Sequence, residues 1–433
     1  VTGVIRVRHI DLAVGFADGE PSDRDAMTVY WWDALPLGAE LSAAEELPQS
    51  PATLRAFAAR LLAEQRSARD VALGAPLVAG YGGEARAPLS LSSVLEVEPG
   101  LAWLADKALP SELAADDLSV IVCTRDRGEA LATCLTALEA QRRPPGEIIV
   151  VDNSADANAA GVCAARPTVR YVHEPRPGLS FARNAGIAAA AGQLVAFTDD
   201  DVTPQANWTA EIVRAFAGSS AEAITGLVLP VRLDTEPQRT FELVTGSFGA
   251  RFHPLLFDSR FFAETVGDGA QVWRIGAGAN MAFRRSVFDR IGGFDTRLGA
   301  GASGCSEDSE FWYRILATGG SCFYEPRAVV LHDHRADWPG LKRQMRAYMN
   351  GHVSALIAQA DMFNHPGNLR RIFLQLPRYF ITQGVKSLNG APARRRVLRQ
   401  QFLGWASGLR YLFNLGWRRR RPSRPSILED NRS

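Results

Sequence analysis

From Leu118 onward, short apolar runs closed by polar turns recur along the chain, with helical spacing of apolar residues between them. Residues 118–123, 147–152, 169–173 and 194–198 each read as a buried strand. Leu131, Leu135 and Leu138 mark a helix between the first two, which the Pro144-Pro145 pair must end. Residues 180–187 lead into an alanine-rich helix before the fourth. Strands alternating with helices at intervals of roughly 25 residues predict an α/β fold built from right-handed βαβ units. Ligands in such sheets lie outside the carboxyl ends of the strands. Those ends carry Thr124 and Arg125, Asp152, and the acid triplet Asp199, Asp200 and Asp201.

The flanks have a different character. Residues 4–10 alternate like a strand, residues 26–32 suggest another, and residues 50–65 carry one apolar helical face, so residues 1–115 read as an α+β accessory domain. Its single histidine, His9, reads as structural, and residues 98–117 read as a linker. Beyond the catalytic unit expected at 116–340, residues 341–357 are helical in pattern, and residues 373–380 are apolar but broken by Pro377 and Arg378. Residues 394–417 mix bulky apolar residues with arginine and run into Arg418–Arg421, so 341–433 reads as a basic amphipathic helical region.

Composition narrows the class. The 433 residues, 46% hydrophobic and 22% charged, suit a soluble protein of two or three domains. A net charge of +1 hides a segregation, because 362–428 holds fourteen Arg or Lys and no Asp or Glu. This stretch suits peripheral contact with an anionic membrane, or a helix packed on the catalytic unit with a solvated tail. No nucleic-acid motif accompanies the charge, so no nucleic-acid partner is expected. Five cysteines without CxxC pairing, no signal peptide and no uncharged run of bilayer length lead to the expectation of a cytoplasmic protein, peripheral at the inner face of the plasma membrane.

Three adjacent carboxylates repel one another, so the triplet at Asp199 calls for a cation or a cationic side chain, unless it is a solvated turn before Pro204. Asp152 suits a ribose or base edge, or equally a helix cap. Arg183, near a helix start, suits a phosphate or a surface ion pair. Neither a P-loop nor a dinucleotide fingerprint follows the first strand, so a bound nucleotide would need a metal for its phosphates. Residues 273–283 read as a glycine-rich loop entering a strand, with room for close approach of a ligand, or as a plain tight turn. Residues 285–291 read as a short helix capped by Gly292-Gly293. Ser306 is a candidate cap for a helix that places Asp308 with Phe311, Trp312 and Ile315 on its apolar face, while Glu310 and Arg314 pair in solvent. A carboxylate turned toward apolar surroundings suits a general base. Downstream, His332 and His334 end another strand, and an imidazole there suits Mn²⁺ better than Mg²⁺.

The succession Ser119-Val-Ile-Val-Cys-Thr-Arg125, Ile149-Val-Val-Asp-Asn-Ser154, Ala182-Arg-Asn-Ala-Gly186 and Phe197-Thr-Asp-Asp-Asp201 resembles the family 2 glycosyltransferases, over about residues 117–335. The resemblance implies a GT-A fold, a mixed Rossmann-like sheet flanked by helices, and an inverting transfer from a nucleoside-diphosphate sugar. It further implies nucleotide-sugar contacts from Thr124, Arg125, Asp152, Arg183 and Asp200, and Mn²⁺ or Mg²⁺ held by Asp199 and Asp201 with His332. It puts the base in the Glu307-Asp308 pair, with Asp308 preferred, and leaves Trp312 and His334 for a glycan, lipid-linked or small-molecule acceptor. Two other schemes use similar residues: nucleotidyl transfer, which would release pyrophosphate, and non-catalytic binding of a nucleotide sugar.

Overall fold

The computed structural model describes residues 5–11, 26–32, 35–42, 117–249, 251–388 and 392–419. Strands β1 (Arg6–Asp11), β2 (Ala26–Trp32) and β3 (Leu35–Ser42) form a small sheet in which β2 runs parallel to β1 and antiparallel to β3. The first two match the sequence pattern, whereas Pro36 and Gly38 conceal the third. The helix expected over 50–65, and the linker except for Asp117, lie outside the described residues. The small sheet is not a separate body. Ile5 bridges to Leu233, and Val29 and Trp31 join the apolar core that contains Phe257 and Tyr324. His9 accepts a hydrogen bond from the Trp31 indole at 2.9 Å, a structural use.

The larger sheet has nine strands: β4 (Leu118–Thr124), β5 (Glu147–Asp152), β6 (Val169–His173), β7 (Leu194–Asp199), β8 (Val202–Pro204), β9 (Ala223–Pro230), β10 (Leu255–Phe257), β11 (Asn280–Arg284) and β12 (Cys322–His332). Their order is β10-β12-β9-β11-β7-β4-β5-β6, with β8 paired to β12. β4 to β7 make the parallel half that the pattern predicts. β11 enters antiparallel between β7 and β9, which makes the sheet mixed.

Successive strand residues feed opposite faces. Ile121, Ile149, Val195 and Phe197 pack with Phe311, Trp312 and Ile315 of the Glu307–Ala317 helix. Val120, Val122, Ile148 and Ala196 pack with Leu131, Leu135 and Leu138 of the Gly128–Glu139 helix and with Trp208 and Phe216 of the Trp208–Ala217 helix. The short helix Ser286–Ile291 ends at Gly292 with φ 78°, the left-handed termination the sequence implies.

The basic C-terminal region is helical, and its longest segment is used inside the molecule. Pro392–Phe413 lies along Trp338–Phe363, where a Cβ at Gly404 would meet the Arg346 carbonyl at 2.4 Å and one at Gly408 would meet Val353 at 2.6 Å. Val397 and Tyr411 are buried. The 394–417 segment therefore packs on its neighbour instead of presenting its apolar side to a membrane. Pro377 does not break the chain either, since a π-helical turn, Arg371–Gln375, runs directly into the Leu376–Leu388 helix. Among the described residues no helix is long and apolar enough to cross a membrane.

Candidate active site

Register brings the strand ends together. Thr124 pairs with Asp152, Cys123 pairs with Asp199, and β8 lies against β12 so that Val202 faces His332. The result is one crevice of about 1450 Å³ lined by Thr124, Arg125, Arg183, the acid triplet, Glu307, Asp308 and His332.

The triplet divides its work. Asp200 is buried and accepts hydrogen bonds from the Thr124 hydroxyl at 2.8 Å and Arg127 at 2.9 Å. Thr124 and Asp200 thus hold each other in place. Asp201 pairs with Arg127 at 2.9 Å and Arg335 at 3.3 Å. Asp199 lies 3.8 Å from Arg183. Desolvation pushes the Asp199 carboxyl up to about 7, opposed by Arg183 and reinforced by Asp201 and Asp200.

His332 closes this end. Its Nε2 lies 3.6 Å from Asp201, its Nδ1 lies 2.9 Å from Nδ1 of His334, and His334 Nε2 lies 2.9 Å from the Glu242 carboxylate. Burial, with His334 adding to it and Asp201 opposing it, lowers His332 to about 4, so the ring is neutral at physiological pH. Where His334 donates through Nε2 to Glu242, its Nδ1 accepts from His332. The His332 Nε2 lone pair is then left toward the acids. Phe241 and Phe248 pack edge-on against the two rings.

Two carboxylates with a bare imidazole nitrogen form a donor set that fits Mn²⁺ or Mg²⁺ in chemistry. Burial, the main cause of the raised Asp199 carboxyl, opposes its negative charge, which such an ion would offset. Among the described residues no three His, Cys, Asp or Glu side chains converge closely enough to enclose an ion. In this arrangement Arg127 and Arg335 supply the countercharge to Asp201.

The opposite wall comes from the Glu307–Ala317 helix. Ser306 precedes it with φ 70° and makes no side-chain cap, so the expected Ser306 cap is absent. Glu307 is buried and takes Arg183 Nη1 at 2.6 Å. Burial raises its carboxyl, which Arg183 opposes and Asp308 reinforces. Asp308 is only half-buried and sits on the crevice wall, not on the apolar face. Its oxygens accept the N–H groups of Gly278 at 2.8 Å and Ser309 at 2.6 Å. A side chain at Gly278 would strike Arg183 and Asp308, so that glycine makes room for the protein's own charges.

Three expectations change here. Asp152 is fully buried, with its oxygens taken by Ser154 N–H, Ser154 hydroxyl, Ala159 N–H and Tyr171 hydroxyl. Burial opposes its ionisation, yet these donors outweigh it and hold the carboxyl below its usual value. It orders the turn beside the crevice, where Asn153 is the lining residue. Trp312 is fully buried in the core, and His334 stands behind His332, so neither lines the crevice as an acceptor contact would. The pair Glu310 and Arg314 is buried, not solvated, with Arg314 also donating to the carbonyls of Ile291 and Gly293. Arg127, Arg335 and Glu242 were not foreseen. Arg127 and Arg335 adjoin motifs that drew attention, but Glu242 lies far from any in sequence.

Residues 119–292 match the family model described as glycosyl transferase family 2. The match spans 174 of the 433 residues, so this domain resembles that family. The pre-mycofactocin glycosyltransferase of Mycobacterium tuberculosis is 28% identical over 237 residues, which cover 53% of this chain and 46% of that protein. The chain thus spans about half the length of that relative. The succinoglycan biosynthesis protein ExoM of Rhizobium meliloti is 29% identical over 255 residues, 55% of this chain and 74% of that one. A solved mannosyltransferase from Pyrobaculum calidifontis, in complex with GDP-Man and Mn²⁺, aligns at 19% identity and TM-score 0.42 over 75% of this chain and 97% of its own.

Proposed function

We propose that this family 2 domain transfers a glycosyl group from a nucleoside-diphosphate sugar to an acceptor hydroxyl with inversion at the anomeric carbon. The observation that carries the reading is Arg183, whose buried guanidinium joins the strand-end acids to the Glu307-Asp308 helix start across one crevice. Leaving-group and acceptor machinery then share one rigid element.

In this reading Asp199, Asp201 and His332 hold Mn²⁺ or Mg²⁺, and Arg125, with the neighbouring arginines, meets the donor's phosphates. The ion, when bound, supplies positive charge to the diphosphate. Asp308 is the base. As the acceptor oxygen bonds to the anomeric carbon, the bond from that carbon to the diphosphate breaks, the hydroxyl proton passes to Asp308, and the nucleoside diphosphate leaves. A single displacement needs one base, and the two N–H groups on Asp308 aim its carboxylate without burying it.

Donor hydrolysis tests this reading. EDTA and Asp308→Asn are each expected to lower turnover at least about 100-fold, and unchanged turnover in both sinks the assignment. Screening nucleoside diphosphates for Mn²⁺-dependent thermal stabilisation names the base.

A further inference from the structure

Much of the crevice lining lies outside the residues assigned to the donor half. Nine arginines and five carboxylates line it, and all five acids lie at the Asp199 and Asp308 end. Arg251, Arg274, Arg343, Arg371 and Arg378 also line the crevice, and none of them makes an ion pair among the described residues. Arg371 lies over the Trp273 ring at 3.9 Å and donates to His352 and Gln375, which fixes its orientation. Burial lowers its guanidinium to about 10. Arg343 and Arg378 are exposed. Guanidinium groups without ion pairs along a partly desolvated wall are suited to an anion with several oxygens.

One helix that lines the crevice also carries an apolar ridge. Seven of the twelve exposed large apolar side chains among the described residues fall between 369 and 388, so the exposure is concentrated on one segment. Within the Leu376–Leu388 helix, Ile381, Val385 and Leu388 are 69%, 64% and 72% exposed and share one face, and Arg378 lies one turn before Ile381 on that face. Arg378, Tyr379 and Thr382 of this helix also line the crevice. A cationic wall thus passes directly into an apolar ridge.

Resting on the glycosyltransferase reading, we propose that the acceptor is a sugar carried on a lipid phosphate or diphosphate. The lipid's phosphate oxygens lie against Arg343 and Arg378, its hydrocarbon chain leaves along Ile381, Val385 and Leu388, and the acceptor hydroxyl of the carried sugar points toward Asp308. A purely carbohydrate acceptor has use for neither the unpaired charge nor the ridge.

Titrating the full chain with a 15-carbon isoprenyl diphosphate, inorganic diphosphate and the corresponding isoprenyl alcohol tests this. The isoprenyl diphosphate is expected to bind at least about tenfold more tightly than either half alone. Arg343→Gln with Arg378→Gln should weaken both diphosphates about tenfold. Ile381→Ser with Val385→Ser and Leu388→Ser should weaken only the isoprenyl diphosphate, about tenfold. All five substituted positions are exposed, and unchanged circular dichroism checks that the variants fold. Equal affinity for the two diphosphates, or no effect of the ridge substitutions, overturns the proposal. Binding to phosphatidylglycerol vesicles with no binding of isoprenyl diphosphate also overturns it, and makes the ridge a membrane-docking surface alone. Mn²⁺-dependent nucleoside diphosphate binding by the wild-type chain reads the donor side separately. Its loss sinks glycosyl transfer, and its presence beside a failed acceptor test sinks only the acceptor class.

Discussion

Asp199 shows how one carboxylate can oppose the fold that holds it. With its folded pKa raised from 3.8 to about 7, the folded chain keeps a proton that the unfolded chain has already released across that window. Its contribution to stability is therefore present below the unfolded value and lost as pH rises toward 7. Asp199→Asn should stabilise the metal-free protein at pH 8 by about 1–2 kcal/mol, a figure discounted because its side chain is a third exposed, with little change at pH 4. Urea unfolding at the two pH values checks this, and the same variant should lose any Mn²⁺-induced stabilisation. Glu242 acts at one remove, through the tautomer of His334. Glu242→Gln lets His334 adopt either tautomer and should weaken Mn²⁺ about tenfold without removing a ligand, measured by the paramagnetic resonance of free Mn²⁺.

At the scale of elements, the Glu307–Ala317 helix is secured by a buried charge pair that its sequence disguises. The i, i+4 spacing of Glu310 and Arg314 reads as a solvent pair, yet both are essentially unexposed, because Arg314 reaches the carbonyls that end the Ser286–Ile291 helix. Glu310→Ala should cost about 3–5 kcal/mol in urea unfolding, since it strands a buried guanidinium. Because this helix also carries Glu307 and Asp308, its loss of support should appear in donor binding as well. The crossing of Pro392–Phe413 over Trp338–Phe363 depends instead on missing side chains. Gly404→Ala places a methyl against the Arg346 carbonyl and should cost about 1–3 kcal/mol by the same measurement. Helical periodicity revealed these helices, but periodicity reports only that a face is apolar, not which neighbour covers it.

For the whole molecule, the sheet order decides the site. β7 lies beside β4, and β12 passes beside β8, so residues as distant as Thr124, Asp199 and His332 line one crevice. The four parallel strands, the triplet at their ends and the Glu307-Asp308 helix start were legible, because buried strands and their polar ends leave local patterns of apolar and charged residues. Asp152 was legible as a strand-end acid but not as a group saturated by Ser154, Ala159 and Tyr171, since those donors come from a turn and an adjacent strand. The Glu242–His334–His332 chain and the set of lining arginines without ion pairs were not legible, as each is assembled from segments separated by scores of residues. The sequence by itself determined which residue types end each strand and where charge accumulates, because these follow from short-range pattern and composition. Only the tertiary structure decided which charges neutralise one another, which remain free and which aromatic rings reach the crevice, because desolvation and ion pairing depend on distances that strand order and helix crossings set.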